Sequence, residues 1–232
     1  MNSKKRFACV LFSIIFLLRV LTLSPAAEVK VYRSVTTEKK QIALTFDDGP
    51  HPSLTPKILA ILTKYGVRAT FFMVGQNVLN YPSAAKQVID AGHEVGNHTF
   101  THPHLAGLNE HAIMEEIGKC EDALEELSEY RPHLLRTPQG AMTANLEKCL
   151  SDDDYILVLW SLDTRDWDNN RQMSTEKAKQ IILENVHNGE VMLLHPTSST
   201  NAAILQDVIR TLKEQGYRFG TLDELTGEGT NE

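Results

Sequence analysis

Cysteine is scarce, with 3 residues in 232, and that excludes a small scaffold stapled by disulfides. Cys9 sits inside an apolar N-terminal run, which leaves only Cys120 and Cys149 to pair if the chain is exported. Sequence alone does not bring their Cα atoms within bridging distance. There is no internal repeat and no low-complexity linker, so neither a repeat array nor a string of tethered domains is expected. Positive charge is also in deficit, with 23 Lys and Arg against 30 acids and a net charge of −7. Phosphate and anionic-lipid binding depend on Lys and Arg, so nucleic acid and anionic membrane are excluded as partners of such a surface. A neutral substrate fits that balance.

A hydrophobic content of 42% is enough to bury a full core, and one domain is the expectation. The N-terminus stands apart. Lys4, Lys5 and Arg6 precede a nearly unbroken apolar run from Phe7 to Leu18, and small residues follow to Ser24-Pro25-Ala26-Ala27. That order is the pattern of a secretory signal peptide over residues 1–27, with cleavage after Ala26. The alternative is an uncleaved membrane anchor over Phe7 to Leu23, which Arg19 interrupts at a cost of about 2.5 kcal/mol or more. Either way the rest of the chain is expected outside the cytoplasm, secreted or held on the outer face. Cleavage removes Lys4, Lys5, Arg6 and Arg19 and no acid, so the exported chain is more acidic still.

Residues 28–40 read as a lead-in and 226–232 as a flexible tail. Between them, short apolar runs alternate with helical stretches. Strands are expected over Gln41–Phe46, Ala69–Val74, His93–Asn97, His133–Arg136, Tyr155–Trp160, Val191–His195 and Tyr217–Gly220. Helices are expected from Thr55-Pro56 to Gly66, from Pro82 to Gly92, from Asn109 to about Tyr130, over Thr143–Ser151, from Ser174 to Val186, and over Asn201–Gln215. About seven strands alternating with helices imply one α/β domain built on a parallel sheet or barrel covered on both faces. In such folds the chemistry gathers at the carboxyl ends of the strands.

Polar clusters fall at those ends. The first is Thr45-Phe46-Asp47-Asp48-Gly49-Pro50. Strand side chains alternate, so two adjacent carboxylates point apart, and one can hold a metal while the other faces substrate. Asp-Gly-Pro is also turn chemistry, which alone accounts for the segment. The second is Asn97-His98-Thr99-Phe100-Thr101-His102, whose two imidazoles, four residues apart, can converge on one ion. Asp48, His98 and His102 would make a three-ligand set with open positions, for which zinc is the expected ion and cobalt the alternative. Nothing in their spacing recruits His93 or His104. Three more clusters follow: Arg136-Thr137-Pro138-Gln139-Gly140, Asp163-Thr164-Arg165-Asp166-Trp167 and Leu193-Leu194-His195. A surface ion pair, a core tryptophan and a strand-end histidine would explain each singly; five clusters in succession exceed coincidence.

In this order the five segments resemble the polysaccharide deacetylase family, carbohydrate esterase family 4, which shares the nodulation-factor deacetylase domain. The resemblance covers roughly residues 41–225 and implies a distorted (β/α) barrel. It implies Asp47 as general base, Asp48, His98 and His102 as metal ligands, and Arg136 as the partner that places Asp47. It also implies His195 as general acid, oriented and charged by Asp166, with Trp167, Leu193 and Pro138 shaping the substrate pocket. The expected reaction is hydrolysis of the acetamido group of N-acetylhexosamines in a cell-wall or chitin-type glycan. Trp160-Ser161-Leu162, Asp166 to Asn170 and Pro196 to Asn201 resemble sporulation and peptidoglycan-acting members. Alternatives are O-acetyl xylan or a small amide as substrate, or a glycan-binding wall protein that does not turn over. A monomer is expected.

Overall fold

The structure, a computed structural model, describes residues 29–151, 154–167 and 174–228. The expected export segment and Asp168-Asn169-Asn170 lie outside them. Among the described residues no helix is long and apolar enough to cross a membrane.

The strands are β1 (Val31–Tyr32), β2 (Gln41–Gly49), β3 (Thr70–Met73), β4 (Glu94–Asn97), β5 (Leu134–Leu135), β6 (Ile156–Val158), β7 (Leu162–Asp163), β8 (Val191–Leu194) and β9 (Arg218–Gly220). The helices are α1 (Thr55–Tyr65), α2 (Gly75–Asn80), α3 (Pro82–Asp90), α4 (Glu110–Ser128), α5 (Ala144–Leu150), α6 (Thr175–Asn185), α7 (Ser199–Glu214) and α8 (Leu222–Thr226). The strands lie in one sheet of order β1-β6-β5-β4-β3-β2-β8-β7, with β9 also paired to β2, and every ladder is parallel. This is a distorted, incompletely closed (β/α) barrel, as the family resemblance implies.

Nine strands are described rather than seven. The two extra strands, β1 and β7, are two residues long and form the edges of the sheet, too short for any hydrophobic period to betray them. The lead-in therefore contributes a strand, and residues 226–228 are held against the fold. Thr226 closes α8, and Glu228 accepts a hydrogen bond of 2.6 Å from the Tyr32 hydroxyl.

Side-chain alternation along β2 divides the core. Ile42, Leu44 and Phe46 face the helical layer, where they meet Leu59, Leu62, Leu205 and Ile209. Ala43 faces the barrel interior with Phe72, Val158, Val191 and Leu222. By the same alternation Thr45 and Asp47 continue the inner face, one layer nearer the carboxyl ends of the strands. Side chains of Asn109, Thr143, Ser174 and Ser198 cap α4, α5, α6 and α7 by accepting a backbone N–H in the first turn. Cys120 and Cys149 are not bridged: one thiol donates to the Met73 carbonyl, the other to that of Glu110.

The segment after β1 crosses to β8 and narrows the gap between the two sheet edges. Ser34 bridges Glu190, and the Val35 N–H donates to the Gly189 carbonyl at 2.9 Å. Gly189 has φ of 75°, and a Cβ there would lie 1.7 Å from the Val35 carbonyl oxygen. Both the left-handed backbone and the close approach demand glycine. Gly189→Ala is therefore expected to destabilise the fold by about 1–3 kcal/mol, read as a lower midpoint in chemical denaturation. An unchanged midpoint would mean that this crossing does not hold the barrel together.

Candidate active site

Five strand ends supply the site. β2 runs on through Asp47 and Asp48 because Asp48 takes a positive φ of 69° and shifts the register against β3 between Phe46 and Gly49. Such a bulge re-aims side chains, and here it turns two consecutive carboxylates toward different neighbours. His98 follows β4, Arg136 follows β5, Asp166 lies beyond β7, and His195 follows β8.

Arg136 is completely buried. Its Nη1 donates to Asp47 Oδ1 and to Thr45 Oγ1, both at 2.7 Å. Its Nε and Nη2 donate to the carbonyls of Val158 and Leu159 at 3.1 and 2.8 Å. The guanidinium also lies 4.2 Å from the centre of the Phe72 ring, adding a cation–π contact. Thr45 in turn donates to the Met192 carbonyl at 2.7 Å. The sequence reading leaves Thr45 without a role, although its place two residues before Asp47 puts it on the same strand face. Asp47 is thus pinned through one oxygen, while its other oxygen lies 3.8 Å from His98 Nε2.

Asp48, His98 and His102 converge as expected. Asp48 Oδ1 lies 3.3 Å from His98 Nε2 and 3.2 Å from His102 Nε2, and the three donor atoms all fall within 4.8 Å of one another. Ligands about 2.0–2.1 Å from a tetrahedral ion stand roughly 3.3 Å apart, so the spacing suits one small divalent cation. Asp48 Oδ1 is buried with no hydrogen-bond partner among the described residues, a costly condition that such a cation relieves. His98 Nδ1 donates to the Arg136 carbonyl at 2.7 Å, which orients the ring with Nε2 toward Asp48. Burial alone would raise the Asp48 pKa, but the surrounding imidazoles bring it down to about 2, so it is anionic at neutral pH. These residues therefore fit a divalent metal.

His195 lies at the end of β8, the strand beside β2. Its Nδ1 donates to Asp166 Oδ1 at 2.8 Å, and its backbone N–H donates to Asp166 Oδ2 at 2.9 Å. Its Nε2 lies 4.0 Å from Asp48 Oδ2. Burial works against a charged imidazole, yet the Asp166 hydrogen bond and charge, with Asp47 and Asp48 adding, raise its pKa to about 9. Ser198 Oγ donates to the Asp166 carbonyl at 3.0 Å and Asn201 Nδ2 to that of His195, so the start of α7 braces the pair.

The pocket residues divide. Leu193 and Pro138 are buried, whereas the Trp167 indole is 49% exposed with its N–H donating to Asp163 Oδ1 at 3.2 Å. The ring is thus exposed and tethered, one residue beyond Asp166. Leu193 lies two residues before His195 on β8, and Pro138 two residues after Arg136. His93 and His104 stay outside the cluster. His93 is buried and accepts from the Ala69 N–H, and His104 lies 3.4 Å from the Gln139 amide.

A parallel barrel carrying an anchored carboxylate, a three-ligand metal-type cluster and a charged imidazole at its strand ends defines a class of α/β hydrolase. Within that class the chain belongs to the polysaccharide deacetylase family, whose model matches residues 34–158. A peptidoglycan-N-acetylglucosamine deacetylase of Bacillus cereus is 38% identical over 191 residues, covering 81% of this chain and 68% of the relative. Peptidoglycan-N-acetylmuramic acid deacetylase PdaC of Bacillus subtilis is 35% identical over 193 residues, covering 83% of this chain but only 40% of the relative. Among solved structures, the Bc1960 peptidoglycan N-acetylglucosamine deacetylase superposes with a TM-score of 0.80 at 36% identity, covering 84% of this chain and 92% of that one. A wild-type carbohydrate esterase family 4 pseudoenzyme from Bacillus anthracis superposes at 0.78 with 32% identity, covering 88% and 69%.

The raised pKa of His195 carries a sign that can be tested. The charged pair stabilises the fold fully below about pH 6.5, and its contribution is lost as pH rises through about 9. In Asp166→Asn the imidazole pKa is expected to fall by about 1–3 units, followed by NMR titration of the His195 ring nitrogens. An unshifted titration midpoint would show that Asp166 is not what charges His195.

Proposed function

We propose that the protein hydrolyses the acetamido group of N-acetylhexosamine residues in peptidoglycan, releasing acetate and leaving a free amine on the glycan. The observation that carries this reading is a pair of proton-transfer groups beside one donor set. Asp47, held by Arg136, lies 3.8 Å from His98, and His195, charged by Asp166, lies 4.0 Å from Asp48.

A divalent ion held by those three residues, zinc in this reading with cobalt as the alternative, supplies Lewis acidity toward the acetyl carbonyl and lowers the pKa of water. Asp47 takes a proton from the attacking water as the new C–O bond forms. Arg136 keeps that carboxylate in place beforehand. His195 then gives the proton on Nε2 to the nitrogen as the C–N bond breaks, which is why it must carry charge at neutral pH. Asp166 holds the ring by Nδ1, so only Nε2 faces the substrate. Trp167 at the mouth, with Leu193 and Pro138 beneath, provides the apolar side of the sugar and acetyl site.

Peptidoglycan is favoured because the relatives named for an activity act on it, with N-acetylglucosamine in one name and N-acetylmuramic acid in another. A pseudoenzyme on the same fold shows that the fold does not by itself certify turnover. Here both proton-transfer groups and all three ligands stand in place. The basic segment and apolar run at the N-terminus support action outside the cytoplasm, where the wall lies.

Purified protein with Zn²⁺ or Co²⁺ is expected to release acetate from peptidoglycan faster than from chitooligosaccharide or acetylated xylan. Asp47→Asn should lower the rate by about 10²–10⁴-fold, and a chelator should abolish it. Undiminished turnover in either case would sink the mechanism, and a preference for the ester substrate would sink the substrate assignment.

A further inference from the structure

The loop joining the two histidine ligands is backbone that does not hold itself. Thr99 and His102 have φ of 64° and 58°, a region that residues other than glycine seldom enter, least of all a β-branched threonine. Such a conformation persists only where the surroundings over-determine it. Three anchors do so. The first two residues of α2 donate their N–H groups to the loop carbonyls, Gly75 to Thr99 at 3.0 Å and Gln76 to Phe100 at 2.9 Å. Asn97 Oδ1 accepts from the Thr99 N–H at 2.8 Å while its Nδ2 donates to the Ile117 carbonyl on α4. The third anchor is Glu116, also on α4. Its Oε2 accepts from the N–H groups of Phe100 and Thr101 at 3.0 and 2.7 Å, and its Oε1 accepts from the Thr101 hydroxyl at 2.8 Å.

Glu116 thus spends both oxygens on the middle of a loop whose two ends are His98 and His102. No other side chain makes a hydrogen bond to the Phe100 and Thr101 N–H groups among the described residues. A carboxylate accepting three hydrogen bonds is a strong, geometrically specific clamp. We propose that Glu116 is a positioning residue of the metal site: it holds the His98–His102 loop so that both imidazoles converge on Asp48 before an ion arrives. Without it, water satisfies the two N–H groups equally well, Thr99 and His102 relax out of the left-handed region, and each ion that binds must restore the loop. The cost then falls on metal affinity rather than on the rest of the barrel.

This inference rests on reading Asp48, His98 and His102 as metal ligands, and the test separates the two. The full chain is titrated with Zn²⁺ and with Co²⁺ in competition with a chromogenic chelator. Amide hydrogen exchange of Phe100 and Thr101 is followed in parallel on metal-free protein. Glu116→Ala is expected to raise both dissociation constants by about 10–100-fold and to speed exchange at those two amides. Glu116→Gln, whose amide oxygen still accepts from both N–H groups, should recover most of the affinity. Glu115→Ala, one residue earlier and paired with Lys119 on the surface, should leave it unchanged. If Glu116→Ala does not fold, Thr101→Val removes one of the three hydrogen bonds and should weaken binding a few-fold in the same direction. Affinity within twofold of the wild type in Glu116→Ala, or in Thr101→Val where that variant stands in, overturns the role of Glu116. A wild-type chain that binds neither ion overturns the metal reading itself.

Discussion

A guanidinium buried at the centre of the barrel, that of Arg136, is the constraint on which the rest depends. Removing such a charge from water costs several kcal/mol even after relaxation, and only close pairing with full hydrogen bonding offsets it. Arg136 meets that demand with Asp47, Thr45 and the carbonyls of Val158 and Leu159. Meeting it fixes the distance between β2 and β6 and the place of the Asp47 carboxylate. The Arg136 carbonyl then accepts from His98, so the same residue orients a metal ligand. Asp47 and the candidate metal cluster are thereby referred to one point in the fold.

The acid side repeats the logic with signs exchanged. His195 is the buried cation and Asp166 the carboxylate that binds it twice, through the ring and through the backbone N–H. Close to both pairs lie Asp48 and its imidazoles, a donor set that suits a cation. Two ion pairs beside an open donor set are what the proposed hydrolysis needs, one group to take a proton and one to give it. Loop anchors such as Glu116 and Ser198 carry this precision outward to the helices.

The alternation of apolar runs and helical stretches made the parallel α/β fold legible, because parallel strands covered on both faces read as continuous hydrophobic runs. Asp47, Asp48, His98, His102, Arg136, Asp166 and His195 were legible too, since polar residues at strand ends have little other reason to recur in that order. The edge strands β1 and β7 were not, being shorter than any period. The bulge at Asp48 was also hidden: the sequence shows two adjacent acids, and only the ladder register shows how they part. Glu116 lies on an amphipathic helix among other acids, and nothing local distinguishes it from a solvated charge. Thr45 could have been found by counting back two residues from Asp47 along the strand.

The most direct test of this account is a double-mutant cycle on Arg136 and Asp47, read as unfolding free energy in chemical denaturant with chelator present. Arg136→Met alone leaves the Asp47 carboxylate buried and unpaired and should cost about 3–5 kcal/mol. Adding Asp47→Asn removes that stranded charge, so the double variant should regain part of the loss and show a coupling energy above about 1 kcal/mol. Strictly additive effects, or an Arg136→Met chain as stable as the wild type, would contradict the claim that this ion pair organises the barrel and its site.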